Sequence, residues 1–339
     1  MRQSAVDSSV FCDWVTLRQE HTGGGVPVVN NGRVWAVDSD GVVEWTTDQV
    51  LEVEGSHDTK IRLRSDGFRV ELSGNIGRFN RADNVFGYDF EETVRRANEL
   101  VNLFSIPPFT RGELCFVYGS GRPEWTGAVV TRVDVTQNLC LWSPENAALF
   151  LRYLSGKQKG RVKVGVSPDG QSVMWGYGSK YANMIAYDKA AEMARHQKRG
   201  GLVSEVFEFV KSLGVIRLEA KFKTRFLRQR HCRYLGEVTM GKVAHLFREE
   251  RNKVLVERVN VDSYNEIPKP YRATAKDWRD GLTLRDSMTR STFSRHRCAL
   301  RRYGLDIAVP CAVKAFPMKV VELEPMALVA PDWYRQKYA

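Results

Sequence analysis

The clearest alternation of apolar and polar positions lies at 215–223, where Ile216, Leu218, Ala220 and Phe222 fall on one side and Arg217, Glu219, Lys221 and Lys223 on the other. That period of two belongs to a half-buried strand. The same period predicts strands around 11–18, 33–37, 42–46, 60–64, 68–73, 113–118 and 129–136, separated by Gly, Asn and Asp turns. Ser167-Pro168-Asp169-Gly170 predicts the turn of a hairpin over 161–177, with a short strand near 183–187 after it. Helical spacing takes over at 89–104, where Phe90, Val94, Ala97, Leu100, Val101 and Phe104 share a side ahead of Pro107 and Pro108. Ser143-Pro144-Glu145 reads as N-cap, first-turn proline and first-turn acid of a helix to about 154. Further helices are expected from 187 to about 198 and over 204–213, the second closed by Gly214. Beyond about 235 the pattern is helical, broken by a loop at 261–270 and ending in a basic helical pair at 286–303. The expected fold class is α+β: a central antiparallel β-sheet with flanking helices over residues 1–235, then a mainly helical C-terminal region over 236–339.

Three of the strand-like stretches repeat an arginine, an apolar residue and an acid: Arg69-Val70-Glu71, Arg132-Val133-Asp134 and Arg217-Leu218-Glu219. Each places its arginine and its acid on one face and the apolar residue on the other. If the strands share a sheet, Glu71, Asp134 and Glu219 converge and offer oxygen ligands to a hard cation such as Mg²⁺ or Mn²⁺. The same pattern would equally serve cross-strand ion pairing on a solvated face, worth under about 1 kcal/mol per pair. Tyr187, followed by Asp188, Lys189 and Glu192, lies between the second and third stretches. Phosphodiester cutting needs a nucleophile and a way to offset charge on the phosphate, which a tyrosine beside metal-binding acids would provide. Most of the twelve tyrosines must instead be packing residues.

Charge points the same way. A net charge of +11 favours a polyanionic partner. The clusters at 157–163, 221–233 and 290–302 carry much of it, and in the second Phe222, Phe226 and Tyr234 interleave with the basic residues. Basic side chains with stacking platforms suit a groove for unpaired bases, making Arg132, Arg217, Lys221, Lys223, Arg225, Arg228 and Arg230 candidate DNA contacts. In the C-terminal region, Ser291 to Arg297 with Leu300 and Leu305 resembles the second helix of a helix-turn-helix, adding Arg295 and Arg297. An amphipathic helix with a basic outer face fits that stretch as well.

The six histidines include no closely spaced pair on one strand, which removes the His-hydrophobe-His metal motif of many nickases; His196 and His231 are minor candidates only because each is near the proposed site in sequence. Six scattered cysteines without a CxxC pair read as reduced thiols. The absence of a signal-like or spanning stretch leads to the expectation of a cytoplasmic protein with no membrane partner. No RRM or KH signature supports an RNA-binding module.

At this point five local patterns, in order, resemble the replication initiators of filamentous bacteriophages, the gene II type of strand-specific endonuclease. They are Asp83-Asn84-Val85-Phe86-Gly87, Thr131-Arg132-Val133-Asp134, Trp175 twelve residues before Tyr187, Ala186-Tyr187-Asp188-Lys189, and the run from Arg217 to Leu227. The resemblance covers about 70–230 and implies an architecture similar to rolling-circle nickases. It implies that Tyr187 is the nicking nucleophile, that the 5′ phosphate is held on it during rolling-circle replication, and that the ends are rejoined without a nucleotide cofactor. It places Asp134 and Glu219 in matching motifs, Glu71 in a looser one, and Lys189 against the scissile phosphate. Implied partners are phage or plasmid origin DNA, host helicase and polymerase machinery, and further copies of the chain on the origin. A non-catalytic DNA-binding regulator on the same fold is the alternative.

Overall fold

The computed structural model describes residues 9–116, 123–157, 159, 162–196, 204–255, 259–260, 267–301, 303, 305–308 and 322–337. Among them the first strands are β1 (Val10–Glu20), β2 (Arg33–Val37), β3 (Val43–Asp48), β4 (Leu51–Glu54), β5 (Lys60–Ser65) and β6 (Arg69–Gly74). Next come β7 (Leu114–Phe116), β8 (Pro123–Trp125), β9 (Val129–Cys140), β10 (Val164–Val166), β11 (Ser172–Trp175), β12 (Ala182–Asp188) and β13 (Val215–Lys223). Short strands β14 (Val259–Asn260), β15 (Glu322–Leu323) and β16 (Met326–Ala327) complete them. The helices are α1 (Phe90–Asn102), α2 (Pro144–Ser155), α3 (Lys189–His196), α4 (Glu205–Ser212), α5 (Thr224–Gln229), α6 (Met240–Asn252), α7 (Lys269–Arg279), α8 (Arg290–Arg301) and α9 (Asp332–Lys337).

The main sheet runs β10-β11-β12-β13-β9-β1-β6-β5-β4, with β16 also on β9, and every pairing is antiparallel. The α+β expectation with a central antiparallel sheet therefore holds. Alternation along β13 decides its two sides. Leu218, Ala220 and Phe222 join Val15, Leu17, Val133, Val135 and residues of α1, α2, α5 and α6 in one large core. Ser143, read from sequence as an N-cap, accepts from Asn146 N, and Asp89 and Ser204 cap α1 and α4 in the same way, accepting from Glu92 N and Phe207 N.

The opposite face is covered only in part. Val215 packs with Val85, Phe86, Val206, Val210 and Tyr334, so the 83–87 segment, α4 and α9 lie over one end of β13. The last described residues thus return to the main sheet, since Leu328 N also donates to Asn138 O at 2.9 Å. Helices α7 and α8 form a smaller core of their own around Trp278, Phe293 and Leu300. The helical pair is therefore α7 with α8, whereas 286–303 contains one helix, because Leu284 is buried in a turn and Ser287 donates to its carbonyl. Among the described residues five short strands, β4, β8, β14, β15 and β16, escaped the sequence pattern, being too brief to show a period. The parts of the expected elements at 117–118, 161 and 197–198 and most of the 261–270 loop lie outside the described residues. The five described cysteines are unbonded, in keeping with reduced thiols. No described helix is long and apolar enough to cross a membrane.

Candidate functional site

Strand β13 lies between β12 and β9, and its register determines which side chains meet. Tyr187 faces Arg217, Arg217 faces Asn138, and Lys221 faces Asp134. Asp134 in turn faces Trp14 of β1, where an extra residue, Asp13, bulges out of the ladder. Directly opposed residues share a face, so Tyr187, Arg217, Glu219, Lys221, Asp134 and Arg132 gather on the polar side. Arg217 lies under the 83–87 segment, while Arg132 and Lys221 are partly exposed. Tyr187 is half-buried there.

Asp134 and Glu219 are both buried, at 2% and 7% exposure. Arg132 binds Asp134 with two hydrogen bonds, 2.8 and 2.5 Å, and its guanidinium stacks 4.4 Å from the Trp14 ring centre. Lys221 Nζ lies 3.0 Å from Glu219 Oε1 and 3.6 Å from Asp134 Oδ2. Burial pushes the Glu219 carboxyl above its ordinary range, Asp134 and Asp13 push it further, and Lys221 pulls back. The Tyr187 phenol is raised chiefly by burial, against the pull of Arg217, with Glu219, Asp13 and Glu192 adding to the rise.

One proposed acid does not reach this cluster. Glu71, on β6, faces Arg18 of β1, four residues along from Trp14, which stands opposite Asp134, and pairs with Arg64 at 3.7 Å. Its arginine-apolar-acid stretch is an ordinary ion-paired segment. The acid that the sequence reading missed is Asp13, which accepts from Asn75 Nδ2 at 3.0 Å and Asn84 Nδ2 at 3.3 Å. Its one signal was a lone carboxylate inside the apolar run Val10-Phe11-Cys12-Asp13-Trp14-Val15.

Lys189 also departs from expectation. It is 1% exposed, and its Nζ donates to Asn84 Oδ1 at 2.7 Å and Glu192 Oε2 at 2.5 Å, so it anchors the start of α3 instead of reaching a phosphate. Burial, helped by Arg217 and opposed by Glu192, lowers its pKa to about 8. Asp188 caps the same helix by accepting from Ala191 N.

The candidate DNA contacts divide. Arg217 is fully buried and not a surface contact, Arg297 is bound bidentately by Asp306, and Arg230 pairs with Glu249. Arg225, Arg228 and Arg295 are exposed, and Lys223 Nζ donates to Ser179 O at 2.6 Å while staying half-exposed. His196 stands 3.8 Å from Glu192 on an exposed helix end, and His231 lies in the turn after α5, so neither joins the acids.

Two buried oxygen donors drawn to a single ammonium fit a divalent cation of the Mg²⁺ class, which takes one or two carboxylates and completes its shell with water and phosphate oxygens. Among the described residues no group of three or more His, Cys, Asp or Glu side chains forms a closed metal cage.

The comparisons place this chain among phage replication proteins. The chain belongs to the replication-associated protein family of filamentous phages, the gene II product: residues 11–241 match the family's N-terminal model and 260–339 its C-terminal model. It is 25% identical to the replication-associated protein of Escherichia phage If1, across 79% of this chain and 95% of that one. It is likewise 25% identical to the replication-associated protein of Enterobacteria phage I2-2, across 88% of each. Superposition on the rolling circle replication initiator protein from Geobacillus stearothermophilus gives a TM-score of 0.28 at 12% identity, covering 73% of this chain and 80% of that one.

Proposed function

We propose that this initiator nicks one strand of its origin through Tyr187 and rejoins the ends after strand displacement. The phenolic oxygen attacks the scissile phosphorus, the bond to the 3′ oxygen breaks, and the 5′ phosphate stays on tyrosine. Because one ester is exchanged for another, rejoining needs no nucleotide cofactor. Asp134 and Glu219 would hold Mg²⁺ or Mn²⁺, which when bound supplies charge neutralisation at the phosphate. Arg132, fixed between Asp134 and Trp14, lines the rim on the open side, and Lys223, Arg225 and Arg228 continue a basic track away from it. The observation that carries this reading is a half-buried tyrosine sharing a sheet face with two buried acids, Glu219 on the next strand and Asp134 on the one beyond it.

The test is supercoiled origin DNA with Mg²⁺ or Mn²⁺, scored for open circles bearing protein on the 5′ end. Tyr187→Phe is expected to abolish nicking and leave binding intact. Retained nicking removes Tyr187 from the mechanism, and wild-type protein that binds without cutting returns the chain to the regulator alternative. Asp134→Asn and Glu219→Gln are each expected to raise the metal concentration needed for half-maximal cutting.

A further inference from the structure

Arg217 is a buried cation with no carboxylate of its own among the described residues. Its side chain is fully enclosed, with the guanidinium 5.4 Å from the Phe11 ring centre. Nε donates to Asn138 Oδ1 at 3.0 Å, and Nη2 donates to the Asn84 and Val85 carbonyls at 2.6 and 2.8 Å. Nη1 is buried and has no hydrogen-bond partner among the described residues. All the acceptors it uses are neutral. Arg132, one strand away on the same face, is by contrast paired bidentately with Asp134.

Enclosing a guanidinium without an ion pair, and leaving one of its donors unmet, is costly. Such an arrangement is sensible where negative charge arrives only during function. The place of arrival is given by the register: Arg217 stands directly opposite Tyr187, so the two side chains leave the sheet together.

We propose that Arg217 is the fixed counter-charge of the Tyr187 oxygen, its free Nη1–H meeting the negative charge that forms there as tyrosine attacks and forms again as tyrosine leaves. The inference rests on Tyr187 being the nucleophile. In nicking, the phenolic oxygen bonds to phosphorus, the electron pair of the broken P–O bond goes to the 3′ oxygen, and the phenol proton passes to water. A water proton completes the 3′ hydroxyl. Rejoining runs these transfers backwards, so the same guanidinium stabilises the tyrosine oxygen as leaving group. The cradle of Asn84, Val85 and Asn138 is neutral, and Asp13, Glu192 and Glu219 act on the guanidinium only through space, so Nη1–H stays unspent until then. Buried lysine could not do the same, because three donors must be spent on the cradle with one left over.

The test replaces Tyr187 with fluorotyrosines of stepped acidity in wild-type, Arg217→Lys and Arg217→Gln proteins, and measures single-turnover nicking and rejoining on origin oligonucleotides. Thermal melts verify folding. The expected result is a loss of about 10²-fold or more in both directions for each variant, with the loss shrinking as the fluorotyrosine becomes more acidic. A loss that stays constant across the series overturns the proposal and leaves Arg217 as a strut for the 83–87 segment. Should both variants unfold, the wild-type series decides: a shallow dependence on phenol acidity supports the counter-charge, and one as steep as that of a phenol in water overturns it. Undiminished nicking by Tyr187→Phe would instead refute the nucleophile assignment itself, a separate failure.

Discussion

Lys221 Nζ stands 3.0 Å from Glu219 Oε1, an ion pair made within one strand between residues two apart on the same face. Its amine also approaches Asp134, so two buried carboxylates share one lysine at the position proposed for a divalent cation. The neutralisation is partial. Glu219 retains a pKa raised by burial and by its two acidic neighbours despite Lys221.

The sign of that shift makes a prediction. An acid whose folded pKa is raised contributes stability that is complete below its unfolded pKa and lost as pH rises through the folded value. Glu219 therefore weakens the metal-free fold progressively above its ordinary value of 4.5. Glu219→Gln in chelator is expected to melt at or above wild type at pH 8 and to show a smaller fall in Tm between pH 5 and 8, even though it needs more metal to cut. A variant that melts below wild type at pH 8 contradicts the assignment of a destabilising buried charge.

Lys189 supplies a second pH window. Its folded pKa is lowered from 10.5 to about 8, so the unfolded chain binds more protons between those values and stability rises with pH across them. The lysine is almost fully buried, and the shift corresponds to an effect on the order of 3 kcal/mol. Lys189→Met should abolish this rise, read as the difference in denaturant midpoint between variant and wild type from pH 7.5 to 10. Parallel curves would show that Glu192 and Asn84 hold the amine charged throughout.

How far the sequence reveals this site is clear from particular residues. Alternation along 215–223 assigned Arg217, Glu219, Lys221 and Lys223 to one face, and the structure keeps them there. Alternation does not encode which strands become neighbours. Asp134 and Glu219 converge because β9 and β13 pair, while Glu71 sits on β6 beyond β1, offset along the strand, and finds Arg64 instead. Asp13 was hidden because a bulge interrupts the period of two at that residue. The 83–87 segment has no period at all, yet its carbonyls hold Arg217 and its Asn84 side chain holds Lys189. That cover depends on contacts far away in sequence, which local patterns do not carry.

Gly214 illustrates a position that the sequence did reveal. It follows α4 with φ +55°, the left-handed region, and a Cβ there would lie 1.9 Å from the Ser143 carbonyl oxygen. That carbonyl belongs to the N-cap residue of α2, so neither side can yield without disturbing a helix end. Gly214→Ala is expected to destabilise by about 2 kcal/mol or more, lowering the denaturant midpoint. An unchanged midpoint would show that α2 and the start of β13 can separate freely.

Tyr334 connects the far end of the chain to the chemistry. Its hydroxyl donates to Asp83 Oδ1 at 2.5 Å and accepts from Arg81 Nη2 at 2.8 Å, while its ring packs edge-on to Phe86 at 4.8 Å. Asp83 and Phe86 flank Asn84 and Val85, the residues that hold Arg217. Tyr334→Phe keeps the ring and removes the hydrogen bonds to Asp83 and the buried Arg81, at an expense of about 1–3 kcal/mol. If α9 fixes the segment over the site, the variant should nick several-fold more slowly at saturating DNA while binding the origin with wild-type affinity. Cutting at the wild-type rate by a variant with a lowered Tm would confine Tyr334 to stability and release the 83–87 segment from any dependence on the C-terminal helix.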